Sequence, residues 1–232
     1  MNVEVDASST PLEVYQGQFG EFTVTADDRQ GVVVYRAGLM IAAVSFAIAV
    51  GLVLWQSTDL SGGTASYHAL VLSLLTLLFG LFSVGLGVSL LTIHIYLLPL
   101  HRALQVFWGV GTITAIALTL LKAQPLALTV FQQPLTLLGI GFTFAALTGI
   151  FFKEAFCFNR LETKLLTPLV PLLLLGHLTH ILPAHVELIL LVAWAVLFLI
   201  FAIRKVIQPI PPDIGDKSVF DFLKQQRAQQ LG

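Results

Sequence analysis

The chain has 232 residues, of which 56% are hydrophobic and only 11% are charged. A soluble domain usually carries about 25% charged residues, so this composition excludes an ordinary soluble protein and favours a surface that faces lipid. The net charge is −1, yet residues 1–28 hold six acidic and no basic side chains, which argues against a nucleic-acid-binding arm. The single cysteine, Cys157, excludes a disulfide within the chain.

The N-terminal segment, residues 1–36, is predicted to lie outside the membrane. Residues 1–11 are polar, and we expect them to be disordered. Between Leu12 and Thr25, two short β-prone runs punctuated by glycine predict a small β-hairpin. Thr25 and Asp28 match a capping box, so a helix is expected to begin there. This end lacks the basic and apolar regions of a signal peptide, and we therefore expect the first transmembrane helix to act as its own insertion signal.

Six apolar stretches are each long enough to cross a hydrocarbon core of about 30 Å. They predict transmembrane helices over Ala37–Trp55, Tyr67–Leu91, Ala103–Leu121, Leu135–Phe152, Leu165–Ile181 and Val186–Ile203. Because the uncharged stretch from Leu60 to His101 is too long for one span and too short for two, we predict that the second helix continues past the membrane until Pro99 ends it. A charged loop, Lys153–Lys164, is predicted to join the fourth and fifth spans.

The remaining residues, 204–232, form a polar tail. Ser218 and Asp221 match a second capping box and predict a short amphipathic helix. If the chain crosses the membrane at these six spans, every basic residue except Lys122 lies on the same side of the membrane as the two termini. The positive-inside rule then places both termini in the cytoplasm. The predicted fold class is an all-α polytopic membrane protein with six transmembrane helices, a hairpin-like N-terminal extension and a short C-terminal helix.

A stripe with seven-residue spacing follows the second span: Ser73, Gly80, Gly87, His94 and His101. Seven residues are nearly two helical turns, so these positions share one helix face. Small residues on such a face favour tight packing against another helix. An alternative is that a haem or chlorophyll ring lies against them with His94 as its axial ligand, since imidazole suits these metals.

A second group of histidines is predicted near the opposite membrane face, close to Glu187. His177 and His180 are spaced i, i+3 and share a helix face. Neutral imidazoles beside a carboxylate are typical of metal or haem sites, but histidines at an interface also act as hydrogen-bonding anchors, and the spacing matches no strong metal motif. The candidate cofactor ligands are His94, His101, His177 and His180, and the candidate metal ligands are His68, His185 and Glu187.

The predicted charged loop is most simply interpreted as interfacial salt bridges and snorkelling anchors. Cys157 within it is a candidate redox or acylation site, or an ordinary apolar residue. No charged residue falls at a predicted bilayer centre, where proton- and ion-coupled transporters usually need one. No P-loop, nucleophile elbow or dinucleotide fingerprint is present, so the sequence favours a protein that is not an enzyme.

Two stretches, Val14–Leu39 (VYQGQFGEFTVTADDR…VVVYRAGL) and Phe151–Leu178 (FFKEAFCFNRLETKLLTPLVPLLLLGHL), resemble an uncharacterised integral membrane family found chiefly in cyanobacteria. The resemblance covers most of the chain. It implies a photosynthetic membrane as the location, and the choice between the thylakoid and the plasma membrane stays open. It transfers no catalytic residue to this sequence.

Three hypotheses for the function follow from these observations. The first is a non-enzymatic accessory protein, a scaffold or an assembly or stability factor, that has the lipid bilayer and other membrane proteins as partners. The second is a redox protein that binds haem, chlorophyll or a metal through its histidines. The third is a transporter of small solutes or lipids.

Overall fold

The computed structural model describes residues 13–58, 65–95, 97–122 and 124–231, so the predicted disorder of residues 1–11 lies outside it. The elements in chain order are β1 (Val14–Gln16), β2 (Glu21–Thr23), α1 (Ala26–Thr58), α2 (Ala65–Thr92), α3 (Leu98–Leu121), α4 (Leu126–Gln132), a 3₁₀ turn (Pro134–Thr136), α5 (Leu137–Phe158), α6 (Leu161–Leu178), α7 (Ala184–Ile207), α8 (Pro211–Ile214) and α9 (Ser218–Leu231).

Six of these helices, α1, α2, α3, α5, α6 and α7, are long and apolar enough to cross a membrane. This confirms the predicted six-helix fold, the N-terminal hairpin and the short C-terminal helix. In the bundle, α1 lies against α2 and α7, α3 packs on α5, and α6 packs on both α5 and α7. The centre is aromatic, with the Trp194 ring 4.4 Å from that of Phe46 and 5.3 Å from that of Phe144.

A close helix crossing joins α1 and α2 through two glycines. A Cβ added to Gly38 would lie 2.6 Å from the carbonyl oxygen of Gly85, and a Cβ on Gly85 would lie 2.6 Å from that of Gly38. In lipid, helices associate mainly through such close packing. The small residues of the α2 stripe serve the same purpose at Gly87, which accommodates the indole ring of Trp108.

The N-terminal hairpin and the first capping box form as predicted. β1 and β2 are antiparallel, with Val14 opposite Thr23. The amide of Thr25 donates to Asp28 Oδ2 at 2.8 Å, and the amide of Asp28 donates to Thr25 Oγ1 at 3.2 Å. These reciprocal bonds satisfy donors that a helix start leaves free, so α1 begins at Ala26, well before its apolar region.

The predicted continuation of the second helix to Pro99 is wrong. The helix α2 ends at Thr92, and α3 already begins at Leu98. Proline is tolerated in a first helical turn because the N–H it lacks has no partner there, so Pro99 starts a helix instead of ending one. The stripe is therefore broken: His94 lies in the connection between the helices, and His101 belongs to α3.

The predicted charged loop between the fourth and fifth spans is also wrong. Most of it is helical, because α5 continues to Phe158 and α6 begins at Leu161. Asn159, in the left-handed conformation (φ 52°), ends α5, as asparagine often does at this position. The segment folds as helix because Glu154 enters the bundle, where it is fully buried and pairs with other helices.

Candidate functional site

The described parts of the two terminal segments pack together at one end of the helix bundle, which we call the cap end. The hairpin, α8 and α9 form a small layer there, which we call the cap. Its apolar centre consists of Val24, Val32 and Ile214, which are all buried. The rings of Phe19 and Phe222 stack at 4.0 Å between centroids and join the hairpin turn to α9. A two-stranded hairpin is marginal alone, so these contacts explain why it is ordered.

Asp216 and Ser218 hold the hairpin turn through its backbone. The amide of Gln18 donates to Asp216 Oδ2 at 2.6 Å, and the amide of Phe19 donates to Ser218 Oγ at 3.1 Å. Ser218 Oγ in turn donates to Asp216 Oδ1 at 2.6 Å. The hydrogen bonds from Ser218 and from the Gln18 amide hold the pKa of Asp216 below its ordinary value. Gly17 leaves room for this arrangement, since a Cβ there would collide with both side chains.

Asp28 connects the cap to the end of α2. Lys217 Nζ donates to Asp28 Oδ2 at 2.7 Å, and His94 Nε2 lies 4.0 Å from Asp28 Oδ1. Burial lowers the pKa of His94 below its ordinary value, although the Asp28 carboxylate acts in the opposite direction.

Beneath the cap lies a group of buried charges, the charge cluster, which comprises Arg36, Glu154, Lys205 and Asp213. Arg36 donates to Asp213 Oδ2 from Nε at 2.9 Å and from Nη2 at 2.7 Å. Lys205 donates to Asp213 Oδ1, and its Nζ lies 2.7 Å from Glu154 Oε2 in an ion-pair contact that lacks hydrogen-bond geometry. The side chains of Glu154 and Lys205 are 0% exposed.

Partners surround the charge cluster on several sides. The Tyr35 hydroxyl donates to Glu154 Oε1 at 3.3 Å, and Lys153 Nζ donates to the same oxygen at 2.9 Å. Arg36 also donates to the carbonyls of Gln208 at 2.7 Å and Pro209 at 2.9 Å, just after α7 ends. Because a buried charge is tolerated only when it is paired and hydrogen-bonded, these contacts fix α1, α5, α7 and α8 relative to one another.

A cavity of about 740 Å³ opens beside the charge cluster. Its polar lining includes His94, Lys153, Cys157 and Asp213, and apolar side chains cover most of the rest, among them Leu97, Leu100, Phe152 and Phe156. The size is within the range of small-molecule sites, about 300–1,000 Å³. Three other cavities, of about 350, 270 and 280 Å³, are lined by apolar residues and a few hydroxyl groups. Charged groups in its lining therefore distinguish the cavity at the cap end from these three cavities.

At the opposite end, the structure brings together part of the predicted histidine group. His177 Nδ1 lies 2.9 Å from Glu187 Oε2, and the rings of His177 and His180 are 6.5 Å apart between centroids. His185 is exposed, and the side chain of His68 lies outside the described part of the chain. No three His, Cys, Asp or Glu residues among those described are grouped so that they could hold a metal ion.

The two remaining candidate ligands, His94 and His101, lie in different surroundings. His94 lines the cavity at the cap end. His101 Nε2 lies 2.6 Å from the carbonyl oxygen of Leu90 and 3.2 Å from Gln105 Nε2. Ligation of haem or chlorophyll by either residue stays a prediction.

Residues 88–222, which run from the end of α2 into α9, match the family described as uncharacterized integral membrane protein (DUF2301). The chain belongs to this family. This match confirms the resemblance to an uncharacterised integral membrane family, and the cyanobacterial distribution stays a prediction. No curated protein and no solved structure matches the chain. The matched region of the family includes Glu154, Lys205 and Asp213 of the charge cluster, whereas Arg36 precedes it.

Sequence reasoning missed most of the charge cluster. It interpreted the charges of Lys153–Lys164 as interfacial salt bridges, and the structure shows one such pair, Lys153–Glu154, at 2.9 Å. It used Arg36 and Lys205 only as basic residues on the side of the membrane that holds both termini. Their shared position, directly before the first predicted span and directly after the last, is a signal that they lie at the same end. Nothing in the spacing singles out Asp213, which follows a run of prolines.

Proposed function

We propose that the protein is a non-enzymatic accessory protein of a larger membrane assembly, as a scaffold or as an assembly or stability factor. The observation that supports this proposal is the cap. Both terminal segments fold onto each other, and the charge cluster fixes them to the helix bundle through Arg36 and Asp213. A rigid polar layer on a membrane bundle suits protein binding, because a pre-organised surface loses less conformational entropy on association.

The chemistry at the cap end agrees with a structural role. Asp213 accepts hydrogen bonds from Arg36 and Lys205, and Glu154 Oε1 accepts from Tyr35 and Lys153. The other oxygen of Glu154 is buried against the ammonium group of Lys205. Charges that satisfy each other in this way position helices, whereas a catalytic group needs an atom free to meet a substrate.

We further propose that the cap faces the cytoplasm, as the positive-inside rule predicts. The cyanobacterial resemblance makes a photosynthetic complex in the thylakoid or plasma membrane the first partner to test. The acidic N-terminal segment and the helix α9 would then meet that partner from the cytoplasmic side.

The test is extraction of the native membrane with a mild detergent, followed by native electrophoresis and mass spectrometry of chains that migrate together. We expect the protein in a band much larger than the monomer, with subunits of another complex. In the variant Asp216→Ala the hairpin loses its main acceptor, and the large band should weaken. The control Gln18→Ala keeps the backbone donor and should migrate as the wild type does. Migration only as a monomer or small homo-oligomer would contradict the proposal.

A second candidate function is cofactor or metal binding at the end opposite the cap. The observation that favours it is the His177–Glu187 pair, at 2.9 Å, because a carboxylate on one imidazole nitrogen orients the other nitrogen toward a metal. An absorption spectrum and metal analysis of the purified protein test this candidate. A Soret or chlorophyll band, or stoichiometric metal, that disappears in His177→Ala would support it, and a colourless, metal-free protein would exclude it. Transport stays the third hypothesis, to be tested by uptake into proteoliposomes.

A further inference from the structure

We propose that the cavity at the cap end binds the anionic headgroup of a lipid from the surrounding membrane, with Lys153 as the cation that meets it. The recognised chemistry is a phosphate or similar anion carried on acyl chains. This role is independent of any protein partner. Four features of the cavity support it: its mouth, its lysine, its charge balance and the helix end beside it.

The mouth of the cavity is apolar and faces outward. Leu97 is 61% exposed and Phe156 is 84% exposed, although both line the cavity. They lie where α3 begins and where α5 approaches its end, at the boundary of the predicted spans. Large apolar side chains exposed at this level contact acyl chains and not water. The cavity is thus open to a molecule whose hydrocarbon part stays in the bilayer.

Lys153 supplies a nearly buried ammonium group to the same cavity. Its side chain is 12% exposed, and it donates one hydrogen bond, to Glu154 Oε1. Its Nζ also lies 5.6 Å from the centre of the Phe158 ring, in a cation–π contact. An ammonium group has three donors, and none of the described residues accepts a second hydrogen bond from Lys153. A phosphate oxygen that enters the cavity would satisfy a donor that the protein leaves free. Desolvation at this depth strengthens such a charge-assisted bond.

The charges behind the cavity sum to a positive value. Arg36, Lys153 and Lys205 provide three cations, and Glu154 and Asp213 provide two carboxylates, which leaves an excess of one positive charge. The Asp213 carboxylate that lines the cavity accepts hydrogen bonds from both Arg36 and Lys205, so its charge is neutralised from behind. An anion is therefore attracted overall, and a cationic headgroup is not.

The first turn of α3 adds a weaker attraction. Leu97, at the N-cap of this helix, makes no side-chain cap hydrogen bond, and Leu97 and Leu100 both line the cavity. The amides of a first helical turn have no partner within the helix, and they carry the positive end of the helix dipole. This helix end supports the site defined by Lys153 and the cavity, but it does not define a site by itself.

Cys157 provides a reporter for the test, because it is the single cysteine of the chain, is exposed and lines the cavity. The full-length protein is placed in nanodiscs of phosphatidylcholine, with or without phosphatidylglycerol, and the rate of maleimide addition to Cys157 is measured. We expect phosphatidylglycerol to slow the reaction several-fold in the wild type. The variant Lys153→Gln should lose most of this protection. The control Lys164→Gln removes the same charge from an exposed position on α6. This variant should keep the protection by phosphatidylglycerol.

The control also separates binding from a general surface effect, because an anionic bilayer alone lowers the thiolate fraction equally in every variant. Equal slowing in all three proteins, or no slowing, would overturn the proposal. Protection by glycerol 3-phosphate without acyl chains would overturn the lipid assignment in favour of a soluble anion. As a second measurement, native mass spectrometry should find bound phosphatidylglycerol on the wild type and on Lys164→Gln, but not on Leu100→Trp, which fills the cavity without changing its charge.

Discussion

Arg36 in α1 and Asp213 in α8 are 177 positions apart, yet they form a two-point hydrogen-bonded ion pair with N–O distances of 2.9 and 2.7 Å. The side chains are only 8% and 2% exposed. The pair therefore connects the beginning of the first transmembrane helix to the segment that follows the last one. It fixes the C-terminal tail over the bundle and so determines where the cap forms.

Removal of the acceptor in this pair should destabilise the whole protein. In Asp213→Ala, Arg36 stays buried without its carboxylate partner and Lys205 keeps only Glu154. Breaking a buried pair in this way typically costs about 3–5 kcal/mol. Denaturant unfolding in detergent micelles measures the change in free energy. The exposed pair between Arg29 and Glu13 offers a control, since Glu13→Gln should leave the unfolding midpoint unchanged. Similar midpoints for the two variants would show that the charge cluster does not stabilise the fold.

A side chain at Gly17 should release the hairpin from the cap. The Cβ in Gly17→Ala would occupy space taken by the Asp216 and Ser218 side chains. Either the turn or these side chains must then move, and we expect the bonds from the Gln18 and Phe19 amides to break. Hydrogen exchange measures this directly. Both amides should exchange much faster in the variant, while the amides of α1 stay protected. Unchanged exchange at the turn would mean that Asp216 and Ser218 do not hold it.

The parts of the fold that depend on local patterns were predictable. Apolar runs of span length and the placement of basic residues indicated six helices, and the Thr25–Asp28 capping box indicated where α1 begins. The end of α2 was not predictable, because an apolar run does not show where a helix stops. Pro99 can follow the end of one helix or lie in the first turn of the next, and the sequence does not distinguish these cases.

The charge cluster depends on distant pairs and so could not be predicted in the same way. From a hydropathy pattern alone, a charged residue at the end of a span is expected to be an exposed anchor. Whether Lys205 instead turns inward depends on the presence of Glu154 and Asp213 on neighbouring elements, and that is a property of the packed bundle. The same holds for the cavity, whose walls come from the α2–α3 connection, α5 and α8.

The crossing of α1 and α2 gives a prediction with a control in the same helix. In Gly85→Ala, the new methyl group would meet the backbone of α1, including the carbonyl oxygen of Gly38, which cannot move unless the helices separate. Overpacking of this kind typically costs about 1–3 kcal/mol. Gly80, also in α2, has no heavy atom of a neighbouring element within 4 Å of the place that a methyl group would take, so Gly80→Ala should be neutral or slightly stabilising. Equal unfolding free energies for the two variants would contradict the close crossing.

Acid should destabilise the folded cap end because it protonates His94. Burial, aided by Lys153 and Lys217, lowers the pKa of His94 below its ordinary value of 6.5, and the attraction of Asp28 and Asp213 only partly offsets this. The folded protein then binds a proton less readily than the unfolded chain does. The stability from neutral His94 is fully present above the unfolded pKa. It is lost as the pH falls from 6.5 towards the lower folded pKa, where the loss levels off.

Thermal unfolding of the detergent-solubilised protein between about pH 8 and pH 5 measures this loss. The carboxylates also titrate towards the acid end of this range, so the informative quantity is the difference in slope between variants. His94→Gln cannot titrate at this position, and its melting temperature should fall less steeply with acid than that of the wild type. His185→Gln removes an exposed histidine at the opposite end of the bundle and should keep the wild-type slope. If His94→Gln also keeps that slope, the imidazole of His94 is not the group that makes the cap end sensitive to acid.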